Sequence, residues 1–258
     1  MTGAAGYMAL VLAEAVAGTL AFVWLTPLWS EVKRGFFTLA SSIVFVVALG
    51  AGLSTRAAQV AGNDAGRWSV TLSLVTAGAV GICFALMLAK QRRPARIVAI
   101  ASVGLSIATL VAMAGTGRQS FAISLFQLLA GGAFLGSITA GLLLGHWYLT
   151  DRGLGRGPIN RLTTAMIAAV AIETIAVLTS GFGGVETSAP LNPLLTAGAL
   201  APWIALGMVA ATAAIALLTR AALAGTRASA VQSATGFYYL AVVTAFTAEV
   251  AVKTRFLA

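Results

Sequence analysis

The chain has 258 residues, 59% of them hydrophobic and only 9% charged, with a mean hydropathy of +0.96. That composition excludes a water-soluble globular domain and points to a polytopic membrane protein. The net charge of +9 would suggest nucleic acid in a soluble protein. Here the basic residues fall in short loops between apolar runs, where anionic lipid and topology account for them and no nucleic-acid partner is expected.

Each span needs roughly 20 apolar residues, and polar breaks divide the chain into about eight: 6–28, 37–54, 70–90, 97–115, 123–149, 162–182, 197–219 and 233–252. The segments between them are short, so the expected fold is a single all-α transmembrane domain over residues 1–258. The first run lacks a basic leader and is too long for a secretory signal, so it is expected to be a retained helix.

The first span carries Glu14 in Leu12-Ala13-Glu14-Ala15-Val16-Ala17-Gly18. An ionisable group inside a span is costly and marks a functional candidate. The small residues around it leave room for either a ligand or a packed backbone. The loop after this span holds Lys33 and Arg34, the first of a series. Lys90, Arg92, Arg93 and Arg96 follow the third span, Arg152, Arg156 and Arg161 the fifth, and Arg220 and Arg227 the seventh. The alternate loops and end hold only Arg56, Arg67, Arg118, Lys253 and Arg255. This bias places both termini outside the cytoplasm. Trp29, Trp68, Trp147, Tyr148, Tyr7, Tyr238 and Tyr239 fall near span ends as an aromatic belt would, whereas Trp24 and Trp203 lie deeper.

Cys83, in the third span, is the single cysteine, so an intrachain disulfide or cysteine-ligated cluster is unavailable, and a small packing role is expected. Two outward loops are longer than helix packing needs: Thr55 to Ser69, and Gly181 to Pro193 with its Gly, Ser, Asn and Pro turn residues. Either could dock a partner or simply connect. Arg118, Gln59 and Gln127 also lie toward the outer side, where they could line a polar pocket with the glutamates or be interfacially solvated.

The fifth span contains Gly132-x-x-x-Gly136-x-x-x-Ala140 and Gly141-x-x-x-Gly145. Small residues at that spacing let a neighbouring backbone approach, and a central packing helix is expected. The only histidine, His146, lies at its inner end beside Trp147 and Tyr148. One histidine cannot supply both axial ligands of a bis-histidine haem, nor a three-histidine zinc site. An interfacial anchor or a contact to a bound headgroup remains for His146, Trp147 and Tyr148. No nucleophile-plus-base set, phosphate loop or acidic metal motif is present, so no catalytic residue and no metal site is expected.

Glu173 lies in the sixth span and Glu249 in the eighth. At 1.5 Å per residue, Glu14 falls roughly 10 Å below the outer surface, Glu173 near the midplane and Glu249 about 6 Å from the outer end. Glu173 suits either a proton-handling or ligand-binding role, or a carboxylic acid bonded to a neighbouring helix. Glu249 is expected to face Lys253 at i+4 and reach water.

Eight helices with both ends outside, no haem ligands and acids toward the outer face resemble the haem-free quinone-interacting anchor subunits of bacterial respiratory oxidoreductases, the broad NrfD and DmsC-like group. The segment Glu14-Ala15-Val16-Ala17-Gly18-Thr19-Leu20-Ala21-Phe22 is similar to the first helix of such anchors. The resemblance implies a subunit of the bacterial cytoplasmic membrane that binds quinone or menaquinone without its own redox centre. It also implies an iron–sulfur or cytochrome partner outside the membrane. The site residues it leaves as candidates are Glu14, Glu173, Glu249, Gln127 and Arg118. A family histidine at the outer quinone site has no counterpart here, since His146 is expected at the inner face. A proton- or ion-coupled secondary transporter and a structural or assembly subunit are the rival readings.

Overall fold

A computed structural model describes residues 3–58, 64–151, 153–179, 181, 200–225 and 229–257. Among these residues the chain is helical, with no strand. The helices are α1 (Gly3–Trp24), the short α2 (Leu28–Glu31), α3 (Arg34–Ala57), α4 (Asp64–Leu88), α5 (Arg92–Ala114), α6 (Phe121–Trp147), α7 (Gly157–Thr179), α8 (Leu200–Ala224) and α9 (Ser229–Leu257). All except α2 are long and apolar enough to cross a membrane, so the chain is a multi-pass membrane protein. The polar breaks located all eight spans, with helix ends shifted by a few residues. Prolines sit in the first turns of α5, α7 and α8 (Pro94, Pro158 and Pro202), where a missing N–H costs nothing.

Helices α1 and α6 form the centre of the bundle. Helices α3 and α5 pack on α1 with α4 against both of them, while α7 and α9 pack on α6 with α8 against both of them, and α9 also reaches α1. Around this centre the surface is apolar, with Val46, Leu53, Ile97, Leu217 and Val243 exposed as lipid-facing residues require.

The central contact depends on glycine. A Cβ on Gly18 would overlap the carbonyl oxygen of Gly132, and a Cβ on Gly136 would overlap the Gly18 backbone. Backbone therefore meets backbone at the α1–α6 crossing, the close approach that small-xxx-small spacing permits. Farther inward, Gly141 makes room for the Tyr238 ring and Gly145 for the Thr235 side chain. The small-residue face of the fifth span thus packs against α1 at one level and α9 at another.

Many buried hydroxyls satisfy themselves locally by bonding their own helix. Thr55 donates to Ala51 O, Ser73 to Ser69 O and Thr212 to Met208 O, each to the carbonyl four residues back. Thr163 and Tyr238 join α7 to α9 with hydroxyl oxygens 3.0 Å apart. Cys83 is buried, donating from Sγ to Ala95 O at 3.5 Å, and fills the small gap between α4 and α5.

Candidate functional site

The α1–α6 contact brings Glu14 against Gly131, one position before the first glycine of the small-residue face. A Cβ on Gly131 would lie 2.7 Å from Glu14 Oε1 and 2.9 Å from Glu249 Oε2. Gly131 is therefore the floor of a polar chamber, and its missing side chain is the space the two carboxyl groups use. Lys253, one turn beyond Glu249 on α9, completes the chamber. Its Nζ lies 2.6 Å from Glu14 Oε1 and donates to Glu249 Oε2 at 3.0 Å. Glu173 enters from α7, near enough for its carboxyl to interact with Glu14, Glu249 and Lys253.

None of these four side chains reaches the surface: Glu14, Glu249 and Lys253 are 0% exposed and Glu173 is 1% exposed. Three sequence expectations change here. Glu249 does not reach water with its lysine, because α9 continues through Leu257 and carries Lys253 inside the bundle. Lys253, grouped in the sequence with the charges of the outer loops and end, also becomes the partner of Glu14. Glu173 moves too. Helix α7 begins at Gly157, so Glu173 lies only about 9 Å from its outer end at Thr179 and shares the level of the other two acids.

Three carboxyl groups around one ammonium form a set that is neutral when it carries two carboxyl protons. Isolated charge is strongly disfavoured in a low-dielectric interior, so protons and the ammonium must share the work of balancing these acids. Glu14 Oε2, Glu173 Oε2 and Glu249 Oε1 have no hydrogen-bond partner among the described residues. Glu14 and Glu173 each lie close enough to Glu249 for a carboxyl proton to be shared between them.

The other candidates divide. Gln127, one turn outward of Gly131 on α6, is buried and donates to Gln119 Oε1 at 3.2 Å and to Thr179 Oγ1 at 3.4 Å. Arg118 is exposed in the turn between α5 and α6, where its backbone N–H donates to Phe256 O at 3.3 Å. Its side chain is not brought to the cluster. Gln59 and nearly all of the Gly181–Pro193 loop lie outside the described residues, as does the middle of the Thr55–Ser69 loop.

At the inner end His146 is exposed, Trp147 packs on Gly35 and Phe36, and the buried Tyr148 donates its hydroxyl to Gly155 O at 2.5 Å. Burial pushes the Tyr148 phenol up to about 12. Trp147 belongs to an aromatic layer with Trp24, Trp29, Phe36 and Phe37, in which Arg92 and Arg96 lie over the Trp29 ring. The layer lies far from the acids.

Sequence reasoning missed Lys253 as a site residue and Gly131 as its floor. The i+4 spacing to Glu249 was the available signal for Lys253. Among the described residues no group of three or more His, Cys, Asp or Glu side chains is arranged to hold a metal ion. Comparison of the chain with protein-family models, curated proteins and solved structures gave no match.

Proposed function

We propose that this membrane protein exchanges protons at the Glu14–Glu173–Glu249–Lys253 cluster. The observation that supports this reading is Glu173: a third carboxyl, fully buried, beside an ammonium already engaged by Glu14 and Glu249. A purely structural ion pair needs one acid per base. The extra acids give the site a capacity to gain and lose protons while one carboxylate keeps the lysine neutralised.

The setting we assign is a subunit of a bacterial electron-transfer complex in the cytoplasmic membrane. There the acids would accept protons released by a quinol, such as menaquinol, oxidised near the outer face. Electrons would pass to an extracytoplasmic iron–sulfur or cytochrome partner, and this chain would contribute a quinone site rather than a redox centre. The outer-half level of the acids and the resemblance of the first helix support that setting.

A second reading, a proton- or ion-coupled secondary transporter, is favoured by the way Lys253 bridges two helices. Protonating Glu14 would release α1 from α9, and such an exchange of partners could drive a conformational cycle. The test is the protein reconstituted in liposomes, wild type and Glu173→Gln, measured for menaquinol binding and for proton uptake after a pH jump. Saturable quinol binding with proton uptake that falls in Glu173→Gln supports the electron-transfer setting. Proton uptake without quinol binding supports transport. Equal uptake in wild type and Glu173→Gln overturns proton exchange at this site and leaves the cluster a helix clamp.

A further inference from the structure

The surroundings of the cluster differ sharply on its two sides. Inward, the faces of α6, α7 and α9 that hold the cluster carry Phe134 and Ile138, Met166 and Val170, and Ala241 and Ala245, while the nearby buried hydroxyl of Ser137 is spent on Phe134 O and that of Thr19 points away from Glu14's face of α1. The apolar side chains on this side offer a proton no donor or acceptor. Outward, α6 presents Ser124 and Gln127 at seven and four residues before Gly131, on the face that holds the acids. Ser124 is 0% exposed and its hydroxyl has no hydrogen-bond partner among the described residues. Gln127 is tied to Gln119 and Thr179, both at the outer ends of their segments and both partly exposed.

Directly above Lys253 the route is closed. The Phe256 ring centroid lies 6.0 Å from Lys253 Nζ, and the ring is buried against Gly117. The polar side chains thus pass beside Phe256 rather than through it. One helical turn, a rise of about 5.4 Å along α6, separates Gln127 from Gly131, on which the carboxyl groups sit, so a route between them needs a single intervening water.

Resting on the proton-exchange reading, we infer that the cluster communicates with the outer face along Gln119, Thr179, Gln127 and Ser124, with Gln127 as the residue through which protons pass. Gln127 is suited to this, because its amide both donates and accepts and stays neutral in a site already crowded with acids. It positions the path and carries no net charge.

The experiment uses the full chain in lipid, transferred to D2O, with the infrared carbonyl band of the buried carboxylic acids followed as it shifts on deuteration. Glu173→Gln first identifies the band, and its absence from wild type would count against proton exchange itself, separately from the route. With the band present, Gln127→Met is expected to slow its deuteration at least tenfold, and Gln127→Glu to keep it fast. Thr179→Val, which removes one outer partner and preserves volume, is expected to slow it severalfold. An unchanged rate in Gln127→Met overturns the route. So does a rate that rises to the wild-type value or above when Thr179→Val is combined with it. Should Gln127→Met fail to fold, Thr179→Val alone decides, and an unchanged rate there overturns the route equally.

Discussion

Lys253 Nζ and Glu14 Oε1, from the last and first helices, meet at 2.6 Å with both side chains fully buried. The contact closes the bundle by joining the first and last helices, and among the described residues Lys253 is the one cation set against three acids. Removing that cation strands carboxyl groups with no counter-charge. Lys253→Met is therefore expected to lower stability by ~3–5 kcal/mol, the usual cost of breaking a buried pair from one side. Thermal unfolding in mild detergent measures it. The double variant Lys253→Met/Glu14→Gln should lose less than the two single variants summed, by ~0.5–3 kcal/mol, because both remove one interaction.

The α1–α6 crossing predicts a contrast between glycines. Gly18→Ala drives a methyl into the Gly132 carbonyl, and backbone on both sides cannot yield without separating the helices. A loss of ~1–3 kcal/mol or more is expected. Gly78→Ala meets open space and should be neutral or stabilising by ~0.5–1 kcal/mol, since alanine is the better helix former. Folded yield and melting temperature of the pair check this.

The spans and the small-residue face of α6 were legible in the sequence because both depend on local pattern: apolar length for the spans, four-residue spacing for the glycines. The acids were legible individually, since an acid within an apolar run stands out wherever the helix goes. Their meeting was not. Glu14, Glu173 and Glu249 come together through the packing of α1, α7 and α9 around α6, and no periodicity encodes which helices adjoin. Lys253 was misplaced for a simpler reason. The apolar run ends at residue 252, and a lysine just past a span end reads as interfacial, whereas the helix runs on to Leu257.

The Thr163–Tyr238 pair predicts an asymmetry. Thr163 can still donate to Ile159 O when the phenol is removed, because it makes that bond already. Tyr238 is buried and loses its hydroxyl partner in Thr163→Val. Thr163→Val should therefore cost ~1–3 kcal/mol for the stranded hydroxyl, more than Tyr238→Phe, which leaves no buried group unpaired. Chemical or thermal unfolding of the two variants gives the order, and the reverse order would show that Tyr238 finds another partner.

Gly131→Ala separates the chemistry of the cluster from the stability of the bundle. Its new methyl meets the carboxyl ends of Glu14 and Glu249 rather than backbone, and those ends can turn aside at modest cost. The fold should survive, with a smaller stability loss than Gly18→Ala. The carboxyl groups would be displaced from the floor that holds them near Lys253, so both ion-pair contacts must lengthen or re-aim. Proton uptake after a pH jump should then change its midpoint or amplitude while melting temperature stays near wild type. A variant that melts as wild type and takes up protons as wild type would mean that the spacing of these acids does not govern their chemistry. The proton-exchange assignment would then lose its geometric support.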